Sequence, residues 1–475
     1  MVFSSLTFLF LFLPLLLAAH RLCPPGRGRT HLLFWAGLVF YGWGDLGHLP
    51  HLLGVLLFNH AALRFLQSRR DAGRGCQPWL GLALAADLGY LAWYKYAGLA
   101  SATAASLASL AGWGAWPVLH VVLPLGISFY LFHAMSALMD VSRGDCQAPP
   151  TLLDSGMYIT FFPQHIAGPI VRYKQLAPGL AGEPVPADMA VEGLRRFCQG
   201  LAKKALLADF FGPWVDQAWA QAPGSLGAPA AWLAALAFPL QLYFDFSGYS
   251  DMALGLAGLF GFHFNENFRH PFHSRTIIEF WRRWHISFTT WVMDYLYRPL
   301  SRLRWRSRVW RLAMLVLVFL LSGLWHGAAW TFAVWGLVNG ALLLLEYGGL
   351  EARLLRLPAW AGRAWVYLAA TLVCLLFRAP SLAAAGGFLR ALSGANGGSV
   401  ALFRGQSLAA WLVVLAVAIP VCGPGPGALV EAWTRGEGGR ARAWLAGAVL
   451  PLLLLALSLA VLGWGTYHSF IYYRF

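Results

Sequence analysis

The sequence predicts an all-α protein that crosses a lipid bilayer many times, and three observations carry that expectation. Hydrophobic residues make up 59% of the 475-residue chain and charged residues only 12%, about half the charged share of an ordinary soluble domain. Apolar runs long enough for helices in hydrocarbon recur from end to end. The charge in the loops between them alternates between dense and sparse, as the positive-inside rule requires. At ~20 residues per span, a chain of this length holds about 11–13 spans or re-entrant helices.

The runs lie at 3–19, 31–43, 48–66, 79–98, 117–139, 152–171, 191–212, 231–261, 312–322, 325–347, 364–379, 407–422 and 442–464. No positive charge precedes the first run, and only Ala18-Ala19 hints at a cleavage site, so a retained span is expected there. The loop after it carries Arg21, Arg27 and Arg29; the next has only Asp45; the third has Arg64, Arg69, Arg70 and Arg74. That alternation predicts an external N-terminus, with the first and third loops in the cytoplasm. The 152–171 run contains Phe161-Phe162-Pro163-Gln164-His165 and Gly168-Pro169, which predicts a broken or re-entrant segment. Stretches 276–297 and 381–393 alternate polar and apolar faces and suit the interface. The densest basic stretch, 298–311, holds Arg298, Arg302, Arg304, Arg306, Arg308 and Arg311 and is expected in the cytoplasm. The Gly- and Ala-rich stretch 381–406 receives no further assignment.

A net charge of +15 on so apolar a chain points to membrane loops. Nucleic acid is not an expected partner, because no basic domain stands apart from the apolar runs. The six cysteines (Cys23, Cys76, Cys146, Cys198, Cys374 and Cys422) form no Cys-x-x-Cys pair, and predict neither a disulfide framework nor a zinc site.

Chemistry-bearing residues concentrate in 241–300. Tyr243, Asp245 and Asp251 interrupt an apolar run, followed by Asn265 and by Glu279-Phe-Trp-Arg-Arg-Trp-His285. A carboxylate at membrane depth costs several kcal/mol unless it is paired or faces water, which makes it a functional candidate. The plainer reading is that Asp245 and Asp251 are ion-pair acids. Arg282 and Arg283, set between Trp281 and Trp284, suit either interfacial anchoring or the phosphates of an anionic acyl donor.

The second constellation is Ser322-Gly-Leu-Trp325-His326-Gly327. A histidine in an apolar run usually makes a structural hydrogen bond. Here flanking glycines allow close approach of a helix or a substrate. Apolar surroundings favour a neutral imidazole, and such a ring can take a proton from a hydroxyl attacking a thioester. His263, His270 and His273 lie close together, but no Cys or carboxylate completes a ligand set, so no metal site is expected. Gly-x-Ser-x-Gly, P-loop and dinucleotide motifs are absent from the sequence.

Taken in order, these motifs resemble the membrane-bound O-acyltransferase family, nearest to its bacterial branch that O-acetylates alginate-like polymers. The likeness runs from Met1-Val-Phe-Ser-Ser through Leu123–Tyr130, Phe161–Ile170, Tyr243–Met252, Glu279–Ser287, Gly323–Ala328 and Phe377–Pro380 to Phe470–Phe475. It implies one transmembrane domain over 1–475, a ring of helices around a central tunnel. Its N-terminal helices would occupy 1–140, its catalytic core 150–347 and its C-terminal helices 360–475. It places the family's catalytic histidine on His326 and the second on His285. Asp245, Tyr243, Asn265, Trp325, Arg282 and Arg283 are then candidates around donor and substrate. It further implies acetyl-CoA or another acyl thioester as donor substrate, with no tightly bound cofactor. A bacterial inner-membrane location and a periplasmic acetyltransferase partner that completes transfer to polysaccharide follow from the same branch. Two departures stand out: Ser301-Arg-Leu-Arg304 replaces an expected Gly-Gly-Asn-Arg turn, and Arg474 stands where Gln is expected.

Two rival classes fit some of these features. A transporter or flippase would also need broken segments and intramembrane acids, although no internal repeat is evident. A non-catalytic scaffold could dock a periplasmic acetylase.

Overall fold

The computed structural model of the protein describes residues 1–221, 224–304, 306–397, 408–435, 439–464 and 471. Every regular element among them is helical. Of the terminal motif only Ile471 is described, so the departure at Arg474 lies outside the described residues, as does 398–407 of the Gly- and Ala-rich stretch.

Among the described residues, five helices are long and apolar enough to cross a membrane: Leu49–Asp71, Arg308–His326, Trp330–Arg356, Ala359–Arg378 and Ala441–Trp464. Ala409–Val421 and Gly425–Thr434, bent by 75° relative to each other, pass the same test together and make a sixth span when counted as one. The count of 11–13 also took in runs that fold as shorter pieces. The 117–139 run becomes helical only at Ile127–Arg143, after Gly126 in the left-handed region. The 152–171 run ends its helix at Thr160; Phe161 turns out of helical geometry, and Pro163 lies in the first turn of the short Phe162–His165 helix that follows, as the expected break requires. The 276–297 stretch gives two seven-residue helices, Ile277–Arg283 and Ile286–Val292, and a π-helical turn over Met293–Tyr297.

Contacts divide the chain into two compact units, Met1–Leu194 with Ala253–Asn265, and Arg195–Met252 with Glu266–Phe475. All three boundaries fall inside the expected 150–347 core. In the first unit, Gly37 lets the Arg27–Asp45 helix lie directly on Thr160; a Cβ there would sit 2.2 Å from the Thr160 carbonyl oxygen. Thr151 and Asp154 form a capping box that starts the Leu152–Thr160 helix.

In the second unit, Gly200 and Gly248 press two helices together: a Cβ on Gly200 would lie 2.5 Å from the Gly248 carbonyl oxygen. Small residues let membrane helices approach this closely. The crossing sets the cations of 196–204 against the acids of the Ala228–Leu259 helix. Asp251 is held by Arg196 at 2.7 Å and Lys203 at 2.6 Å. Lys204 lies 2.8 Å from Asp245 and 2.6 Å from Asp209, all three buried. A second close pair, Gly323 and Gly336, joins Arg308–His326 to Trp330–Leu345 as a hairpin; a Cβ on Gly323 would meet the Phe332 carbonyl oxygen at 2.2 Å.

Candidate active site

The site lies in the second unit, where two short chain segments run against each other. Arg269 N–H donates to the Arg283 carbonyl at 2.9 Å, and Ile286 N–H to the Asn267 carbonyl at 2.8 Å. Between these clamps sits His285, 1% exposed, with φ +45 at the start of the Ile286–Val292 helix. Among the described residues, His270 (φ +51) is the other non-glycine with positive φ. Such geometry is uncommon outside glycine and persists where surrounding contacts enforce it.

Asn267 supplies the enforcing contact. Its Oδ1 accepts from Ser287 N–H at 3.1 Å, from Ser287 Oγ at 2.9 Å and faces His285 Nδ1 at 3.1 Å. Its Nδ2 donates to Ser250 Oγ at 3.0 Å. A backbone N–H can only donate, so the amide atom facing it is the oxygen, and His285 Nδ1 must carry the hydrogen. That leaves a lone pair on His285 Nε2, which is buried and has no hydrogen-bond partner among the described residues. Burial, with the His326 imidazole nearby, pushes the His285 ring well below its usual pKa, so it is held neutral.

His326 ends its helix, and Gly327 leaves in extended geometry. A Cβ on Gly327 would fall 2.1 Å from the Phe332 ring, so only glycine turns the chain here without displacing that ring. The His326 ring, on a residue 6% exposed, lies 5.2 Å from Trp335 and 5.4 Å from Phe377. Phe288 and Trp325, stacked at 4.4 Å, join the two histidines. Phe288 is 5.1 Å from His285 and 5.7 Å from His326; Trp325 is 6.4 Å and 4.8 Å away. His326 also lines an apolar cavity of about 40 Å³ with Trp281, Trp284, Trp335, Asn339 and Phe377.

The other residues singled out in the sequence take different places. Trp325 is at the site. Tyr243 packs among Phe244, Phe268, Phe272 and Trp284, supporting the aromatic wall. Asp245 holds Lys204 and accepts from Ile471 N–H at 2.9 Å, which is the ion-pair reading and not a donor contact. Arg283 pairs with Glu279 at 2.7 Å, and Arg282 is exposed. Asn265 is exposed and belongs to the first unit; two residues on, where the loop turns its side chain inward, Asn267 fills the role beside His285. Nothing in the sequence pattern separated these two asparagines. Of the three clustered histidines, His263 is exposed in the first unit, while His273 faces Arg363 at 2.7 Å. The arginines at 298, 302, 304, 306 and 308 are exposed. Arg298 pairs with Asp294, and Arg304 lies over the Trp310 ring at 5.3 Å.

A family model for the membrane-bound O-acyltransferases matches residues 147–358, a stretch that contains both His285 and His326. The probable alginate O-acetylase AlgI of Azotobacter vinelandii is 42% identical over 347 residues, 73% of this chain and 68% of that protein. The corresponding protein of Pseudomonas putida is 40% identical over 385 residues, 80% of this chain and 78% of its own. A peptidoglycan O-acetyltransferase of Helicobacter pylori is 32% identical over 448 residues, covering 84% and 81%. Identity sustained over such lengths, with both histidine motifs inside the matched stretch, identifies the protein as a multi-pass membrane enzyme of the O-acyltransferase class, and the chain belongs to the membrane-bound O-acyltransferase family.

Proposed function

We propose that this enzyme takes an acetyl group from a cytoplasmic thioester, acetyl-CoA, and delivers it across a bacterial inner membrane toward the hydroxyls of an exported, alginate-like polysaccharide. A periplasmic acetyltransferase partner completes the transfer to polymer. One observation supports the reading above the others: His285 and His326 share the stacked pair Phe288–Trp325, so two imidazoles converge in an apolar, water-poor site. Burial holds the His285 ring in the base form.

In this reading His326 takes the proton of the acceptor hydroxyl as its oxygen bonds to the acetyl carbonyl carbon. The carbon–sulfur bond then breaks, and the leaving thiolate collects the proton from the imidazolium. His285, its Nδ1–H anchored on Asn267, presents Nε2 to the reacting groups and orients or stabilises them. Trp325 walls the site. The small cavity beside His326 favours a two-carbon acyl group over a long chain. The exposed arginines of 298–308 draw the donor's phosphates to the cytoplasmic mouth. Their side chains serve this even though Ser301–Arg304 lacks the expected glycine turn.

Purified protein supplied with radiolabelled acetyl-CoA should release free thiol and pass label to an acceptor hydroxyl. Transport without thioester cleavage, or release no greater than that of a His326→Ala variant, would overturn the proposal.

A further inference from the structure

The second unit holds a cavity larger than the one at His326. A pocket of about 810 Å³ opens between the Ala228–Leu259 helix, the Ala359–Arg378 helix and the bent pair Ala409–Val421 and Gly425–Thr434. Its length is apolar, with Leu233, Leu236, Leu240, Leu415 and Ile419 among the walls. Its polar features are few and collected. Arg363 is the one charged residue among the described lining residues. The Arg363 Nη2 lies 2.7 Å from His273 Nε2, while its Nε is buried without a hydrogen-bond partner among the described residues.

His273 links this guanidinium to the helix bend: a Cβ on Gly423 would lie 3.6 Å from His273 Nδ1. Just beyond, Pro424 and Gly425 also line the pocket and begin the Gly425–Thr434 helix, whose first N–H groups have no intrahelical acceptor. A helix N-terminus beside an arginine is a site for an anion. Trp411, near the start of the helix that ends at the bend, lines the other end of the pocket, about three turns away. It is 5% exposed and lines the pocket, and its indole N–H has no acceptor among the described residues. Buried donors are nearly always satisfied.

From this arrangement we infer that the pocket binds one phospholipid with an anionic headgroup. The phosphate sits at Arg363 and the Gly425 helix start, and an acyl chain fills the leucine-lined length toward Trp411. One wall, Ala359–Arg378, is a helix apolar enough to span a bilayer, and the bent pair is so when taken as one, which places the pocket where lipid is the surrounding solvent. A nucleotide-bearing thioester fits less well, since one guanidinium and an apolar shaft do not match several phosphates and an adenine. Phe272 lines both this pocket and the cavity at His326, so the bound lipid would buttress the aromatic wall of the site.

The test uses the full-length protein, delipidated in detergent and titrated with dioleoyl phosphatidylglycerol while native mass spectrometry counts bound molecules. Dioleoyl phosphatidylcholine, inorganic phosphate and coenzyme A serve as competing probes. One phosphatidylglycerol should be retained per chain, with tenfold or greater weakening by Arg363→Gln. Leu236→Trp and Leu415→Trp, which fill the shaft from different helices, should each abolish retention while the protein stays monodisperse. Unchanged lipid retention in both tryptophan variants would overturn the site as mere annular lipid. Equal retention of phosphatidylcholine would overturn the anionic specificity. Displacement by coenzyme A would assign the pocket to the acyl donor, and displacement by inorganic phosphate alone would reduce it to a simple anion site.

Discussion

Asn267 and His285 are joined through a single amide oxygen, which faces His285 Nδ1 at 3.1 Å while also accepting from Ser287 N–H. The tautomer of one candidate catalytic ring is therefore set by a residue 18 positions earlier in the chain. Asn267→Ala removes that anchor but leaves both histidines in place. The expected result is a fall of about tenfold or more in kcat, short of the ~10²–10⁴-fold lost with a positioned base itself. Steady-state thiol release with the thioester as variable substrate checks it, KM changing little.

Asn267→Asp tests the same contact by charge. In the parent protein His285 is held neutral by burial and by the nearby His326 ring, so activity should persist as pH falls through ~6.5 and decline only below it. A carboxylate facing Nδ1 favours the protonated ring and raises its pKa. The acid limb of the kcat profile should then move to higher pH in the variant, and an unmoved limb would remove His285 from the protonation scheme.

His285 occupies a left-handed backbone position, which asparagine tolerates better than most residues. His285→Asn should express, insert and unfold thermally much as the parent does, while transfer falls ~10²–10⁴-fold. Retained transfer would show that the ring serves only the fold.

Lys204 is the shared cation of Asp209 and Asp245 in a buried cluster. Lys204→Met leaves two carboxylates without it and should destabilise the protein by about 3–5 kcal/mol. Replacing all three together with Met, Asn and Asn should recover much of that loss. Thermal unfolding in a fixed detergent, read by intrinsic fluorescence, distinguishes the two variants.

Gly323 and Gly336 hold the His326 helix against its hairpin partner with backbone in contact. Gly323→Val drives a side chain into the Phe332 carbonyl and should cost about 1–3 kcal/mol of stability. Because the helix must shift, transfer should fall further than stability alone explains, which parallel activity and melting measurements would show.

Much of the site was legible in the sequence because its chemistry breaks local rules. A histidine between glycines in an apolar run, and a histidine behind Trp-Arg-Arg-Trp, violate the membrane pattern and so announce themselves. The break before Pro163 was equally readable, since a proline has no N–H to continue the preceding helix and fits the first turn of a new one. The partners were not legible. Lys203, Lys204 and Arg196 lie in a stretch that reads as apolar, and only the Gly200–Gly248 crossing brings them to Asp245 and Asp251. Asn265 and Asn267 differ in direction, not in composition, and direction is set by the clamp between 267–269 and 283–286. Long-range contacts of this kind leave no periodic trace.

The central claim is that His326 moves the proton in acyl transfer. Its most direct test measures label transfer from acetyl-CoA by His326→Ala in lipid nanodiscs, beside the parent, with insertion and monodispersity confirmed for both. A loss of ~10²–10⁴-fold is predicted; transfer within about a tenth of the parent rate would contradict it.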